Sequence, residues 1–185
     1  MNYIIIDLEA TCWESVSEKP GDQEVIEIGA VKFNNMGEML DEFEQFVKPS
    51  DFPVLSEFCK NLTSIKQEQV DNAPGFEKAM QNFRNWIGFD DDFILCSWGD
   101  WDKHQLTNEA ERKKLELSWV LKHVNLKEQY RKIKMLRRGL GMKKTLLREK
   151  IDLAGTHHRG IDDARNIGKI FKRYFQYWHF RNPSQ

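Results

Sequence analysis

Short runs of β-branched and aromatic residues alternate along this chain with stretches of helical periodicity. Residues 2–7 and 24–33 are rich in isoleucine and valine, and residues 41–47 alternate between apolar and polar positions. The Asn-Asn-Met-Gly segment at residues 34–37 has the composition of a tight turn. We therefore expect the chain to begin with three antiparallel strands.

The remainder of the chain is dominated by helical spacing. Five apolar residues recur at the spacing of an amphipathic helix: Phe76, Ala79, Met80, Phe83 and Trp86. A further strand is predicted at residues 93–98, and helices are predicted directly after Asp102 and at residues 127–135, 143–150 and 161–178. This order predicts an α/β protein. No repeat or linker divides the chain, so we expect one domain over residues 1–185.

Length and composition limit the class of protein. The chain has 185 residues, of which 40% are hydrophobic and 12% are aromatic, which is enough for one compact core. The apolar run at residues 3–6 is too short to span a bilayer and lacks the basic flank of a signal peptide. We therefore expect a soluble, cytoplasmic protein that is not associated with membranes.

Three cysteines are present, Cys12, Cys59 and Cys96, and no two of them form a Cys-x-x-Cys pair. An odd number without that spacing argues against a disulfide framework or a zinc site. The apolar neighbours of Cys59 and Cys96 favour packing in the core. Cys12 follows the acidic residues described next, so we expect it to be sensitive to oxidation without taking part in the chemistry.

Acidic residues and one histidine at three separated places carry the candidate chemistry. Asp7 and Glu9 follow a run of isoleucines, Asp102 lies in Trp-Gly-Asp-Trp-Asp, and His158 and Asp163 lie in His-His-Arg-Gly-Ile-Asp-Asp. Residues two apart on a strand share a face, and the ends of strands in α/β proteins surround clefts. Mg²⁺ and Mn²⁺ prefer oxygen ligands, and a pair of such ions can hold the attacking and leaving oxygens of a phosphodiester. Phosphodiester hydrolysis is therefore the leading hypothesis.

Each acidic group could instead have a structural role that is frequent for its residue type. A lone Asp7 or Glu9 could be a charge at a strand end, and Asp102 before a helical run has the usual position of an N-cap. Asp162 and Asp163, beside Arg165, could form a solvated helix start with local ion pairing. The combination of all these groups in one chain favours the metal site.

The motifs resemble those of a known family. Asp-x-Glu-Ala-Thr at residues 7–11, Trp-Asp at 101–102 and His-x-x-x-x-Asp at 158–163 resemble the three motifs of the DEDDh 3′–5′ exonucleases. The longer strings around them are similar to the enhancer-of-RNAi-like exoribonucleases, whose bacterial members include the KapD-type proteins. The resemblance extends from about residue 3 to about residue 175. It implies a ribonuclease H-like fold, with a mixed five-stranded sheet and flanking helices.

The resemblance also implies roles for the acidic residues. Two Mg²⁺ or Mn²⁺ ions would be held by four carboxylates: Asp7, Glu9, Asp102 and Asp163. Asp7 would bridge both ions, and Glu9 and Asp163 would hold the ion that carries the attacking water. Asp102 would hold the second ion.

His158 is the candidate general base. Imidazole has an unperturbed pKa of about 6.5 and can accept a proton near neutral pH. His157 has the same spacing to Asp162 as His158 has to Asp163, so spacing alone leaves the register open. The family pattern selects His158 and Asp163.

Candidate substrate contacts adjoin these motifs. The backbone amides of Ala10 and Thr11 could bind the terminal ribose, whose 2′-hydroxyl distinguishes RNA from DNA. Trp13 and Trp101 could stack on a base, although packing in the core is the alternative for each.

Further candidates lie on the second strand and among the basic residues. The resemblance implies that Ile28 and Gly29, together with Glu27, flank the nucleotide. The candidate phosphate contacts are Arg159, Arg137, Arg138, Lys143 and Lys144.

The formal net charge of −1 hides an uneven distribution. Residues 1–60 contain thirteen Asp or Glu and four Lys or Arg, whereas residues 131–150 contain nine basic residues and one acidic residue. Acidic groups therefore gather where cations would bind, and the basic stretch could hold a polyanion beside them. Solvation of exposed helices is the alternative for the basic residues.

Three classes of function follow. The preferred one is a metal-dependent 3′–5′ exoribonuclease that releases 5′-nucleoside monophosphates from single-stranded 3′ ends. The others are an exonuclease acting on single-stranded DNA and a non-catalytic RNA-binding protein that has kept the fold. Intact acidic and histidine positions argue against the last class. The preference for RNA over DNA as the nucleic-acid partner rests on the resemblance alone.

Overall fold

In the computed structural model, which describes residues 1–88 and 92–180, five strands form one mixed sheet. The strands are β1 (Asn2–Ala10), β2 (Val25–Phe33), β3 (Met39–Phe46), β4 (Phe93–Ser97) and β5 (His123–Asn125). Their order across the sheet is β3-β2-β1-β4-β5. β1, β2 and β3 pair antiparallel, whereas β4 pairs parallel to both β1 and β5. The predicted mixed five-stranded sheet is confirmed.

Helices cover both faces of this sheet. They are α1 (Glu57–Thr63), α2 (Gln67–Asp71), α3 (Phe76–Ile87), α4 (Trp101–Arg112), α5 (Leu126–Ile133), α6 (Met142–Glu149) and α7 (Gly160–Arg173). The pattern of the sequence does not predict α1, α2 or β5, because they have only seven, five and three residues and periodicity needs longer segments. None of the helices in the described ranges has the length and apolar character that a bilayer span requires.

The side chains of β1 alternate between two cores. Ile6 and Leu8 belong to the core beneath α3 and α4, whereas Ile5 belongs to the core beneath α5, α6 and α7. Asp7 and Glu9 continue the alternation of Ile5 toward the carboxyl end of the strand. They therefore lie on the face that α7 covers.

The C-terminal helix is shorter than predicted. Periodicity predicts a helix at residues 161–178, whereas α7 ends at Arg173 and a 3₁₀ turn (Phe175–Tyr177) follows. Trp178 folds back onto α7, where its Nε1 donates to the carbonyl of Phe171 at 2.8 Å and the two rings stack at 6.2 Å. The apolar residues beyond Arg173 therefore pack against the helix instead of extending it.

Candidate active site

The structure brings the four predicted metal-binding carboxylates together at the carboxyl end of β1. Ligand oxygens of Asp7, Glu9 and Asp163 all lie within 4.8 Å of one another. Asp102 is buried in the first turn of α4, and its Oδ1 accepts a hydrogen bond from the amide of Leu8 at 3.1 Å. Leu8 stands between Asp7 and Glu9, so this bond fixes α4 directly against the acidic pair.

The acidic cluster disfavours its own ionised state. Burial, followed by repulsion from neighbouring carboxylates, raises the pKa of Glu9 to about 8 and the pKa of Asp7 well above its ordinary value. Burial also raises the pKa of Asp102 to about 6 and raises the pKa of Asp163. A bound cation would offset both causes, because it replaces lost water ligands and neutralises the repulsion. The donor set is all oxygen and therefore fits a hard divalent cation.

The first turn of α7 is anchored to β2 by Glu27. This side chain is fully buried, and its carboxylate accepts hydrogen bonds from the backbone amides of Gly160 at 3.0 Å and Ile161 at 3.3 Å. A carboxylate at a helix N-terminus is favoured by the free amides and by the helix dipole. Because Asp163 lies in this turn, Glu27 determines where Asp163 meets β1.

Two of the predicted nucleotide contacts are not at the cleft. Ile28 is fully buried in the core beneath α3 and α4. Gly29 packs under α7, where a Cβ atom added to it would lie 2.0 Å from the carbonyl carbon of Gly160. The predicted substrate roles of Ile28 and Gly29 are therefore wrong, because α7 covers β2 at this point.

Arg159 makes contacts within the protein instead of facing an open surface. Its Nε donates to Glu27 at 3.1 Å, and an Nη donates to Glu44 at 2.7 Å. The guanidinium also lies over the ring of Phe46 at 5.3 Å. These contacts contradict the predicted role in phosphate binding, because two carboxylates already balance its charge.

Thr11 and Trp13 are also engaged elsewhere. The amide of Thr11 donates to the carbonyl of Glu24 at 2.8 Å, and its hydroxyl accepts from the amide of Glu24 at 3.0 Å. Trp13 packs edge to face against Phe52 at 5.6 Å, and the described lining of the cleft does not include it. Sequence position alone suggested both contacts, and the path of the loop that follows β1 directs both residues away from the cleft.

A cleft of about 380 Å³ opens over the carboxylates. Its lining includes the predicted residues Ala10 and Trp101, and 45% of the Trp101 side chain is exposed. Several lining residues were not predicted: Gln23, Leu62, Trp98, Lys127, Gly141 and Met142. They come from parts of the chain that are distant in sequence, and only Trp98 adjoins a motif that could have indicated it.

Asp163, and not Asp162, belongs to the cluster. Asp162 accepts hydrogen bonds from the amide of Thr156 at 2.8 Å and from Arg165 at 2.9 Å. Asp163 is buried and shares the cluster with Asp7 and Glu9. At this helix start Arg165 therefore pairs with Asp162, whereas Asp163 contacts His157.

Both His157 and His158 line the cleft, and their rings stack at 4.0 Å. Nδ1 of His157 lies 2.8 Å from Oδ2 of Asp163, and the backbone amide of His158 donates to the same oxygen at 3.1 Å. Burial, followed by the charge of His157, lowers the pKa of His158. A lowered pKa favours the neutral form of the His158 ring, which is the form that can accept a proton.

Strand β5 supports the turn that leads into Asp102. The hydroxyl of Ser97 is fully buried, lies 2.8 Å from Nε2 of His123 and donates to the carbonyl of Gly99 at 3.0 Å. The nearby Ser97 hydroxyl also lowers the pKa of Asp102, against the larger effect of burial. The sequence pattern does not indicate Ser97 or His123, because their pairing depends on the parallel alignment of β4 and β5.

The cysteines agree in part with their predictions. Cys59 and Cys96 are fully buried, as expected. Cys12 is half-buried at the cleft, and a hydrogen bond with Cys59, together with burial, raises its pKa. Thiolate is the oxidisable form, so a raised pKa argues against the expected sensitivity of Cys12.

The fold and the cleft together define a ribonuclease H-like nuclease of the DEDDh type. The model of the exonuclease family named RNase_T matches residues 4–171, and the chain belongs to this family. The resemblance to the DEDDh exonucleases and to their enhancer-of-RNAi-like branch is thus confirmed.

Relatives in several animals are similar to this chain. It is 35% identical over 192 residues to ERI1 exoribonuclease 2 of Danio rerio, in a match that covers 92% of this chain and 34% of that protein. It is 33% identical over 184 residues to 3′-5′ exoribonuclease 1 of Homo sapiens, covering 93% of this chain and 52% of that protein. The chain therefore spans about a third to about a half of the length of these relatives.

Solved structures have the same fold. The nuclease domain of 3′hExo, a DEDDh family member bound to rAMP, has a TM-score of 0.90 and 28% identity, with 98% of this chain and 96% of that chain covered. Cell-death related nuclease 4 has a TM-score of 0.84 and 20% identity, with 95% of this chain and 64% of that chain covered. At that lower identity the second structure supports the fold alone.

Proposed function

We propose that the protein is a divalent-metal-dependent exonuclease that removes nucleotides from the 3′ end of single-stranded RNA. The observation that carries this proposal is the convergence of Asp7, Glu9 and Asp163 within 4.8 Å, beside two histidines in an open cleft. The relatives named exoribonucleases, and the similar nuclease domain bound to rAMP, support RNA over DNA.

The carboxylates would hold the metal. Two Mg²⁺ or Mn²⁺ ions, when bound, supply positive charge to the attacking and leaving oxygens of the phosphodiester. Asp7 would contribute to both ions, Glu9 and Asp163 to one, and Asp102 to the other. The bond from Leu8 to Asp102 and the anchoring of α7 by Glu27 hold these ligands on separate rigid elements.

The two histidines have different roles. His157 contacts Asp163 through Nδ1, which is the usual way in which a neighbour orients a metal-binding carboxylate. His158 contacts Asp163 through its backbone amide, which leaves its ring available. His158 is therefore the residue that accepts the proton of the attacking water, and the neutral ring produced by its lowered pKa suits that task.

The cleft fits one terminal nucleotide. Its volume of about 380 Å³ lies at the small end of the range for ligand sites. Trp101 at the rim offers an aromatic surface for stacking of a base. A terminal nucleotide bound here would place its phosphodiester over the carboxylates and give a 5′-nucleoside monophosphate as product.

The test is incubation of matched RNA and DNA oligonucleotides with Mg²⁺ or Mn²⁺. We expect RNA to be shortened faster than DNA and neither to be shortened in EDTA. Faster loss of DNA would favour the DNA exonuclease. Binding of RNA without hydrolysis under all metal conditions would favour the non-catalytic RNA-binding protein.

A further inference from the structure

The connection between α5 and α6 forms one wall of the cleft. Gly141 and Met142 line the cleft directly. Trp98, another lining residue, donates from Nε1 to the carbonyl of Leu140 at 2.9 Å. A Cβ atom added to Gly139 would lie 3.0 Å from Cε of the lining residue Lys127. Residues 139–142 are therefore held against the cleft by contacts with its other walls.

Four cations flank this wall on its two sides: Arg137, Arg138, Lys143 and Lys144. All four side chains are exposed. In the described ranges of the chain, none of them makes a hydrogen bond or an ion pair. They adjoin this wall in sequence, since Arg138 precedes Gly139 and Lys143 follows the lining residue Met142.

Other cations of the same segment are paired. Arg131 lies 2.7 Å and Lys132 lies 3.7 Å from the carboxylate of Glu128. Lys134 lies 3.3 Å from the carboxylate of Glu149. Acidic partners are thus available to the basic stretch, but among the described residues the cations beside the cleft wall have none. If all these cations only solvated exposed helices, no difference would be expected between the paired cations and the cations beside the cleft wall.

We propose that Arg137, Arg138, Lys143 and Lys144 bind the phosphates of the RNA strand upstream of the terminal nucleotide, where the strand leaves the cleft. This inference rests on the proposed function and defines the surface over which its substrate runs. Lysine and arginine at a groove rim bind phosphates with little dependence on sequence. The surface therefore contributes affinity for any single strand that extends beyond the site of cleavage.

The experiment compares two variants that each lose four positive charges. The test variant replaces Arg137, Arg138, Lys143 and Lys144 by Ala. The control variant replaces four cations that are exposed, lack a partner in the described residues and do not line the cleft: Lys66, Lys78, Lys114 and Lys172. Both variants should have the melting temperature of the unaltered protein, because exposed side chains contribute little to stability.

Each variant is assayed on an RNA dinucleotide and on a long unpaired RNA strand. On the long strand the test variant should show a KM raised about tenfold or more at low salt. The slope of its salt dependence should be shallower by ~0.7 for each phosphate that the variant no longer neutralises. On the dinucleotide, which has no upstream phosphates, kcat/KM should change much less than on the long strand, with only the effect of the Lys143 charge on His158 remaining. The control variant should match the unaltered protein on both substrates.

Binding of a labelled strand by fluorescence anisotropy, in the Asp7→Ala/Glu9→Ala background, provides a readout that does not depend on cleavage. If both sets of substitutions weaken binding of the long strand equally, or neither does, the proposed surface is wrong. If the unaltered protein cleaves neither substrate, the proposed function fails. The anisotropy comparison still decides whether the surface binds RNA.

Discussion

Glu9 illustrates how a buried carboxylate in an acidic cluster affects stability in the absence of metal. Burial and the neighbouring carboxylates raise its pKa from 4.5 to about 8. A group with a higher pKa in the folded than in the unfolded protein binds more protons when folded. The stability that Glu9 contributes is therefore lost as the pH rises from 4.5 to about 8. The metal-free protein should become less stable over this pH range.

Glu9→Gln should weaken this pH dependence. In EDTA, the melting temperature of the variant should exceed that of the unaltered protein near pH ~8, and the difference should shrink near pH ~5. His123, whose pKa is lowered by burial from 6.5 to about 4, titrates in both proteins and therefore cancels in the difference between them. Equal melting temperatures of variant and unaltered protein near pH ~8 would contradict a repelling cluster.

The two histidines should give different kinetic effects. His158→Ala should lower kcat by roughly 10²-fold or more, because a positioned general base is lost. The affinity for metal should change little, since the contact of His158 with Asp163 runs through its backbone amide and survives the substitution. Steady-state rates as a function of Mn²⁺ concentration measure both quantities.

His157→Ala is the matched comparison. Since the ring of His157 contacts Asp163 at 2.8 Å, its loss should weaken metal binding about 10-fold or more while kcat at saturating metal is largely retained. If His157→Ala loses the rate and His158→Ala keeps it, the assigned roles are reversed. If neither substitution alters the rate at neutral pH, neither histidine is the base.

At the scale of elements, the site depends on how closely α7 approaches the sheet. A side chain at Gly29 would meet the backbone of Gly160 at 2.0 Å, so Gly29→Ala must displace the helix that carries Asp163. We expect a loss of about 1–3 kcal/mol in the free energy of unfolding, together with weaker binding of Mn²⁺. Denaturant unfolding and titration with Mn²⁺ measure the two effects.

Gly75→Ala is the control, because a Cβ atom there has nothing within 4 Å and φ is −67°. The control should leave metal affinity unchanged and should cost less stability than Gly29→Ala, since only the preference for glycine at the N-cap of α3 is lost. A Gly29→Ala variant that is as stable as the control would show that the contact between β2 and α7 is not tight.

The turn between β4 and α4 should be equally important for Asp102. Ser97→Ala removes the hydroxyl that contacts His123 and lowers the pKa of Asp102. Loss of such a supporting group typically weakens metal binding by about 10–100-fold. Electron paramagnetic resonance of bound Mn²⁺ measures this without reference to activity.

His123→Gln should retain most of the metal affinity, since an amide can still donate a hydrogen bond to Ser97, whereas His123→Ala should not. The two His123 variants separate this role from simple packing. Equal affinities in both would indicate that the ring only fills space.

The placement of the four acidic residues is predictable from sequence because it depends on local patterns. Asp7 and Glu9 share a strand, and the alternation that predicts their common face is a property of a few consecutive residues. Asp102 and Asp163 lie in first helical turns that periodicity locates to within a residue or two. These four positions therefore needed no knowledge of the fold.

Contacts between distant segments were not predictable in the same way. Arg159 has the type of side chain that binds phosphate, but its partners Glu27 and Glu44 come from β2 and β3. Lys127 and Met142 reach the cleft only because α5 and α6 pack beside α7. Such pairings depend on the register and the packing of the whole fold.

At the scale of the whole molecule, acidic and basic side chains gather in different places. Acidic side chains converge at the carboxyl end of β1, and cations without partners in the described residues flank the adjoining wall at residues 139–142. This arrangement fits a strand whose end is cleaved at metal and whose upstream phosphates meet lysine and arginine. The central claim is therefore that the cleft shortens RNA from its 3′ end.

The most direct test follows a 5′-labelled single-stranded RNA in the presence of Mg²⁺ or Mn²⁺. We predict a ladder of progressively shorter labelled strands, release of 5′-nucleoside monophosphates, and inhibition by a 3′-phosphate. We also expect no products from a circular strand or from the Asp7→Ala/Glu9→Ala variant, which should remain folded. Rapid cutting of the circular strand, or activity retained in the folded double variant, would contradict the central claim.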